Sequence, residues 1–171
     1  MYKRRTWFRL MALAVVSQAL CACSPGQDAP NAGDDEAADA EGFFTSHEYD
    51  KAIPLLRDAI QKQAVNGMAS QDLNYSKLQL GQCYARTGNY DEAQKYLSQC
   101  LPYVTLVQGE CLEELGDVAV KKNQLTSAKS FYIDAIKWHE KKDDHAAVAM
   151  EKRKLAEVLE LLKKNDAAPS P

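Results

Sequence analysis

Residues 80–101 and residues 115–136 are one unit written twice. The first copy is LGQCYARTGNYDEAQKYLSQCL and the second LGDVAVKKNQLTSAKSFYIDAI. Leu80 lies over Leu115, Gly81 over Gly116, Ala93 over Ala128 and Leu101 over Ile136, at a constant offset of 35 residues. A unit of this period buries its apolar face only by stacking on its neighbours, so the chain is expected to form helical hairpins in series rather than a single catalytic core. Between residues 71 and 87, apolar and small residues recur at helical spacing, at Leu73, Leu78, Leu80, Gly81, Tyr84 and Ala85. Gly88-Asn89 breaks the turn. A second helix then runs from Tyr90 or Asp91 toward Leu101, and Pro102 stops it early because the residue before a proline disfavours helix.

These positions resemble the tetratricopeptide repeat (TPR), a helix–turn–helix of about 34 residues. Leu80, Gly81 and Tyr84 match the first helix of that motif, Gly88 the turn and Tyr90 the start of the second helix. Ala93, Leu97 and Cys100 match its small, large and small packing positions. The second copy matches through Leu115, Gly116, Ala119, Leu125, Ala128, Tyr132 and Ala135. The motif's early Trp is missing, and Asn123 replaces the turn glycine. The resemblance implies an all-α, right-handed α-solenoid with a concave face lined by the first helix of each hairpin.

Two flanking pieces extend the array. Residues 47–60 carry Tyr49, Ala52, Leu56 and Ala59 at second-helix positions, with Asp50 as expected N-cap and Pro54 in the first turn, where backbone N–H groups lack partners. The matching first helix, residues 36–46, is weak and offers Phe43 and Phe44 for burial. Residues 145–164 form a closing helix, capped by Asp144, with a stripe of Leu155, Ala156, Leu159 and Leu162. The helical domain is placed at 42–164, with a disordered tail at 165–171.

The N-terminus has a different character. Lys3, Arg4, Arg5 and Arg9 precede an apolar run from Leu10 to Leu20 that is too short to span a bilayer, and LCAC follows at 20–23. This ending resembles the lipobox of bacterial lipoproteins. It implies a signal peptide at 1–22, acylation of Cys23, and anchoring in the envelope at the outer membrane, facing the periplasm. An ordinary secreted protein is the alternative. Residues 24–41 hold six acids and no base, and are expected to form a disordered tether. Residues 42–171 are nearly neutral, with 17 Lys and Arg against 18 Asp and Glu, which speaks against nucleic acid as partner.

Cys83, Cys100 and Cys111 remain in the body. Two readings stay open: a structural Cys100–Cys111 disulfide, or three small buried residues. A redox centre lacks a Cys-x-x-Cys motif. His139, Asp143, Asp144 and His145 lack the fixed spacing of strong metal motifs, and a solvated turn is the simpler reading. No metal or cofactor is expected. Glu110, Glu113, Glu114 and Asp117 share one helical face, a candidate acidic seat for a basic or polar peptide. The corresponding face of the preceding unit offers Tyr75, Leu78, Gln82 and Arg86. The expectation is a non-catalytic, membrane-anchored scaffold that binds a protein partner through this groove. The alternatives are an envelope enzyme or thiol redox factor using Cys83, Cys100, Cys111 or the His139–His145 turn, and a homo-oligomer paired through the terminal helix.

Overall fold

In the computed structural model, residues 33–65, 71–102 and 106–167 are described. They form seven helices and no strand: α1 (Asp34–Thr45), α2 (Tyr49–Val65), α3 (Gln71–Arg86), α4 (Tyr90–Ser98), α5 (Gln108–Lys121), α6 (Leu125–Glu140) and α7 (His145–Ala167). Each helix packs on the next, and α1, α3 and α5 also touch in series. The result is three antiparallel hairpins with α7 laid over the last, the expected α-solenoid. The leader, Cys23 and residues 24–32 of the expected tether lie outside the described residues.

One backbone device turns the chain after α1, α3, α5 and α6. His47, Gly88, Asn123 and Asp143 all adopt positive φ, between 56° and 81°. At each, the residue's own N–H and the next one's reach back three and five residues to helix carbonyls. His47 N–H donates to Phe44 O and Glu48 N–H to Phe43 O; Gly88 and Asn89 repeat this on Ala85 and Tyr84, and Asn123 and Gln124 on Val120 and Ala119. This satisfies carbonyls that the helix end would leave unpaired. Asn123 fills the place of the turn glycine because Asn tolerates the left-handed conformation better than most residues.

Close approach within a hairpin needs a missing side chain. A Cβ on Gly81 would stand 2.5 Å from Leu97 Cγ, and one on Gly116 would stand 2.4 Å from the Tyr132 ring. The two copies thus use the same glycine against the same large partner. The buried core runs through Ala52, Leu56, Leu80 and Cys83 in the first layer. It continues through Leu78, Ala93, Leu97, Cys100, Cys111, Leu115 and Val118, and ends in Ala119, Leu125, Ala128, Tyr132 and Val158.

The structure corrects three boundaries and one face. The helical body starts at Asp34, so the expected tether gives way over residues 34–41. Asp34, Asp35 and Glu36 occupy the first turn of α1, where the helix dipole favours acids. Lys62 of α2 pairs with Glu36, Gln63 donates to Asp34, and Ala40 is buried. Helix α2 starts at Tyr49, and Ala52 N–H already donates to the Glu48 carbonyl. Asp50 is therefore not the cap, and Pro54 sits two residues deeper in the helix than expected, on an exposed face. Helix α7 reaches Ala167, into the expected tail, with Asp144 Oδ1 accepting from Ala147 N–H at 3.0 Å as its cap. Its inner face is Val148, Glu151 and Val158, while Ala156 is exposed and Leu155, Leu159 and Leu162 are half-buried.

Candidate binding groove

The first helices of the hairpins bring the candidate residues together across α3, α5 and α7. Gln82 Nε2 of α3 donates to Glu114 Oε1 of α5 at 2.9 Å, and Arg86 Nη2 approaches the same oxygen at 3.5 Å. Glu114 is buried, and its Oε2 has no partner. Burial raises its carboxyl above the usual range, opposed by the charge of Arg86. Tyr75 is 41% exposed on the same face of α3. Burial raises its phenol, and the charges of Glu41 on α1 and Glu110 on α5 raise it further. Glu110 is exposed at its rim; its carboxyl is raised by partial burial and then by Glu113. Leu78 does not belong here. It is 1% exposed and packs inward with Ala93, Leu97 and Leu115, because the α3 face it occupies turns toward α4.

The expected acidic seat is largely neutralised from within. Lys154 of α7 reaches across and holds Glu113 Oε1 and Asp117 Oδ2, each at 2.8 Å. Tyr132 of α6 donates its hydroxyl to Asp117 Oδ1 at 2.6 Å, and the Lys154 ammonium stands 5.8 Å from the Tyr132 ring centroid. Glu113 and Asp117 thus tie α7 to the body instead of waiting for a ligand. Sequence reading missed Lys154 because its partners lie 37 and 41 residues away, beyond any helical periodicity.

What stays open is a cavity of about 330 Å³ beside this network. Ala85, Val118, Val158 and Leu161 give it apolar walls, while Arg86, Lys121 and Lys154 together with Glu114, Asp117 and Glu157 make the rest of its lining charged in both signs. Helices α3, α5, α6 and α7 all contribute, so it exists only while α7 is docked. An apolar side chain fits such a hollow, with polar groups around the entrance to fix its orientation.

The other candidate chemistry is placed less favourably. Cys83, Cys100 and Cys111 are free and buried. Burial pushes the Cys83 thiol up to about 12. Cys111 is in hydrogen-bond contact with Cys100, and that contact together with burial raises its thiol far above the ordinary range. Thiols raised in this way are poor nucleophiles at neutral pH. His139 is buried with Nδ1 3.7 Å from Asp144 Oδ2, whereas Asp143 and His145 are exposed, so the turn does not converge on one point. Among the described residues no group of three His, Cys, Asp or Glu is arranged to hold a metal ion. No described helix is long and apolar enough to cross a membrane.

Comparison with known proteins agrees with this architecture. Residues 75–101 match the tetratricopeptide repeat family. The fold is similar to the TPR domain of Sgt2 from Aspergillus fumigatus, with TM-score 0.65 and 18% identity over 81% of this chain and 84% of that one. It is equally similar to the C-terminal TPR-containing domain of a Plasmodium falciparum FK506-binding protein, with TM-score 0.65 and 17% identity over 82% and 98% of the two chains. No curated protein matches the sequence. At such identities the likeness shows the fold alone, an all-helical solenoid of TPR-like hairpins.

Proposed function

We propose that this chain is a lipid-anchored scaffold of the bacterial envelope that captures a protein partner on the concave face of its TPR solenoid. The observation that carries the binding half is the cavity, part apolar and part charged, shared by α3, α5 and α7 on the face formed by the first helices. A repeat solenoid offers such a face as an extended recognition surface. The anchoring half rests on the basic segment, the short apolar run and LCAC ending at Cys23. In this reading Cys23 carries the acyl chains, palmitate among them. Two or more chains give stable attachment where one would not. The protein then faces the periplasm from the outer membrane and takes part in assembling an envelope complex.

Two substitutions test the two halves separately. Cys23→Ala should abolish labelling by a palmitate analogue and release the protein from the membrane fraction. Leu161→Glu puts a charge on the cavity wall at a side chain 40% exposed, so the fold should survive while capture falls at least tenfold. Undiminished capture by folded Leu161→Glu contradicts the groove. Unchanged labelling of Cys23→Ala contradicts the anchor.

A further inference from the structure

Glu151 is the one fully buried carboxyl in the α7 interface, and it is not needed by the groove as a ligand contact. It is 0% exposed, no donor reaches either carboxyl oxygen, and the group it faces at hydrogen-bond range is another carboxyl, Glu113, to which only the neutral acid can donate. The charged and titratable groups around it are Glu113 and Asp117 from α5, Tyr132 from α6 and Lys154 from α7 itself. Lys154 is already committed to Glu113 and Asp117. A charged Glu151 would therefore be a third carboxylate facing a single ammonium, without solvent and without a donor. Such a group is accommodated in its neutral form.

We propose that docking of α7 is a proton-controlled latch: α7 seats firmly while Glu151 is protonated and loosens when it ionises, so that the cavity between α3, α5 and α7 opens more often. The cavity depends on this because Lys154, Glu157, Val158 and Leu161 of α7 form one of its walls. The latch concerns α7 docking by itself. Its consequence for partner capture rests on the concave-face function proposed for this chain.

The sign follows from linkage. Burial first, and the neighbouring Glu113 charge second, push the Glu151 carboxyl from 4.5 up to about 7. An acid raised in the docked state binds its proton more tightly there than in the undocked state. Docking is thus strongest below about 4.5 and weakens as pH rises toward and through 7. With these two values, the docking equilibrium falls about tenfold between pH 6 and pH 8.

Hydrogen exchange of the full soluble domain, corrected for intrinsic rates, reads this directly without any partner. The α7 amides should open about tenfold more often at pH 8 than at pH 6, while α3 and α4 amides stay level. Glu151→Gln, which keeps the shape of the neutral acid, should remove that dependence and leave α7 protected at both pH values. A level response in the wild type overturns the latch. So does an equal slope in Glu151→Gln, which would place the pH dependence outside Glu151. Glu113→Gln gives an independent check, since removing the facing like charge should move the wild-type midpoint downward; an unmoved midpoint counts against the proposal. If α7 responds as stated while folded Leu161→Glu captures its partner undiminished, the latch stands and the groove reading fails.

Discussion

Replacing Lys154 by methionine should cost far more than an ordinary surface lysine would. The ammonium makes two 2.8 Å contacts, with Glu113 and Asp117, and the side chains of Lys154 and Glu113 are each only 21% exposed. Exposed ion pairs contribute at most about 1 kcal/mol, whereas breaking a buried pair costs about 3–5 kcal/mol. Asp117 is 38% exposed and keeps the Tyr132 hydroxyl, so solvent and that hydrogen bond recover part of the loss. The balance is about 2 kcal/mol. For a domain of this size it lowers Tm by roughly 8 °C. Urea denaturation followed by circular dichroism supplies the free energy, and a double-mutant cycle with Asp117→Asn isolates the pair. The coupling should be about 1 kcal/mol, with the double mutant less damaged than the sum of the singles. A Lys154→Met protein within about 0.3 kcal/mol of wild type, or strictly additive substitutions, would refute the claim that Lys154 ties α7 to α5.

Two glycines should respond in opposite directions. Gly116→Ala drives a methyl into the Tyr132 ring and should destabilise by about 1–3 kcal/mol, whereas Gly42→Ala meets nothing within 4 Å and should stabilise by a few tenths up to about 1 kcal/mol; thermal melts of both check this. Cys100 and Cys111 are in contact but buried, and the Cys111 thiol is raised far above the ordinary range, so both should resist a disulfide donor while the domain stays folded. Thiol titration in denaturant after such treatment should find Cys83, Cys100 and Cys111 all free; a single free thiol would show a Cys100–Cys111 bridge and contradict their role as packing residues.

Hairpin geometry was legible wherever a residue's job is set inside its own repeat. Gly81 and Gly116, and Ala93 and Ala128, carry the same local sterics 35 residues apart, so pattern alone located two hairpins. The first hairpin was harder to see because its turn residue, His47, precedes Gly88 by 41 residues, six more than the repeat offset. Its opening helix was concealed by composition. The acids of 34–41 suit disorder, but three of them sit where a helix N-terminus welcomes negative charge. The α7 face was misjudged for a related reason. A hydrophobic stripe favours Ala156 and Leu159, whereas the buried position is taken by Glu151, a residue that only tertiary context can place inside. The groove was half legible. Arg86, Glu114 and Asp117 border the cavity and Gln82 is tied to Glu114, but the partners of Glu113 and Asp117 come from a distant helix that local spacing cannot reveal.

In-cell photocrosslinking tests the concave-face claim most directly. A photoreactive residue at Lys121 or Glu157 stands at the mouth of the cavity, whereas one at Gln61 or Lys129 lies outside it on second helices that are also exposed. The account predicts one discrete crosslinked protein species from the first pair and none from the second. Equal crosslinking from both pairs, or crosslinking from Gln61 and Lys129 alone, would contradict it.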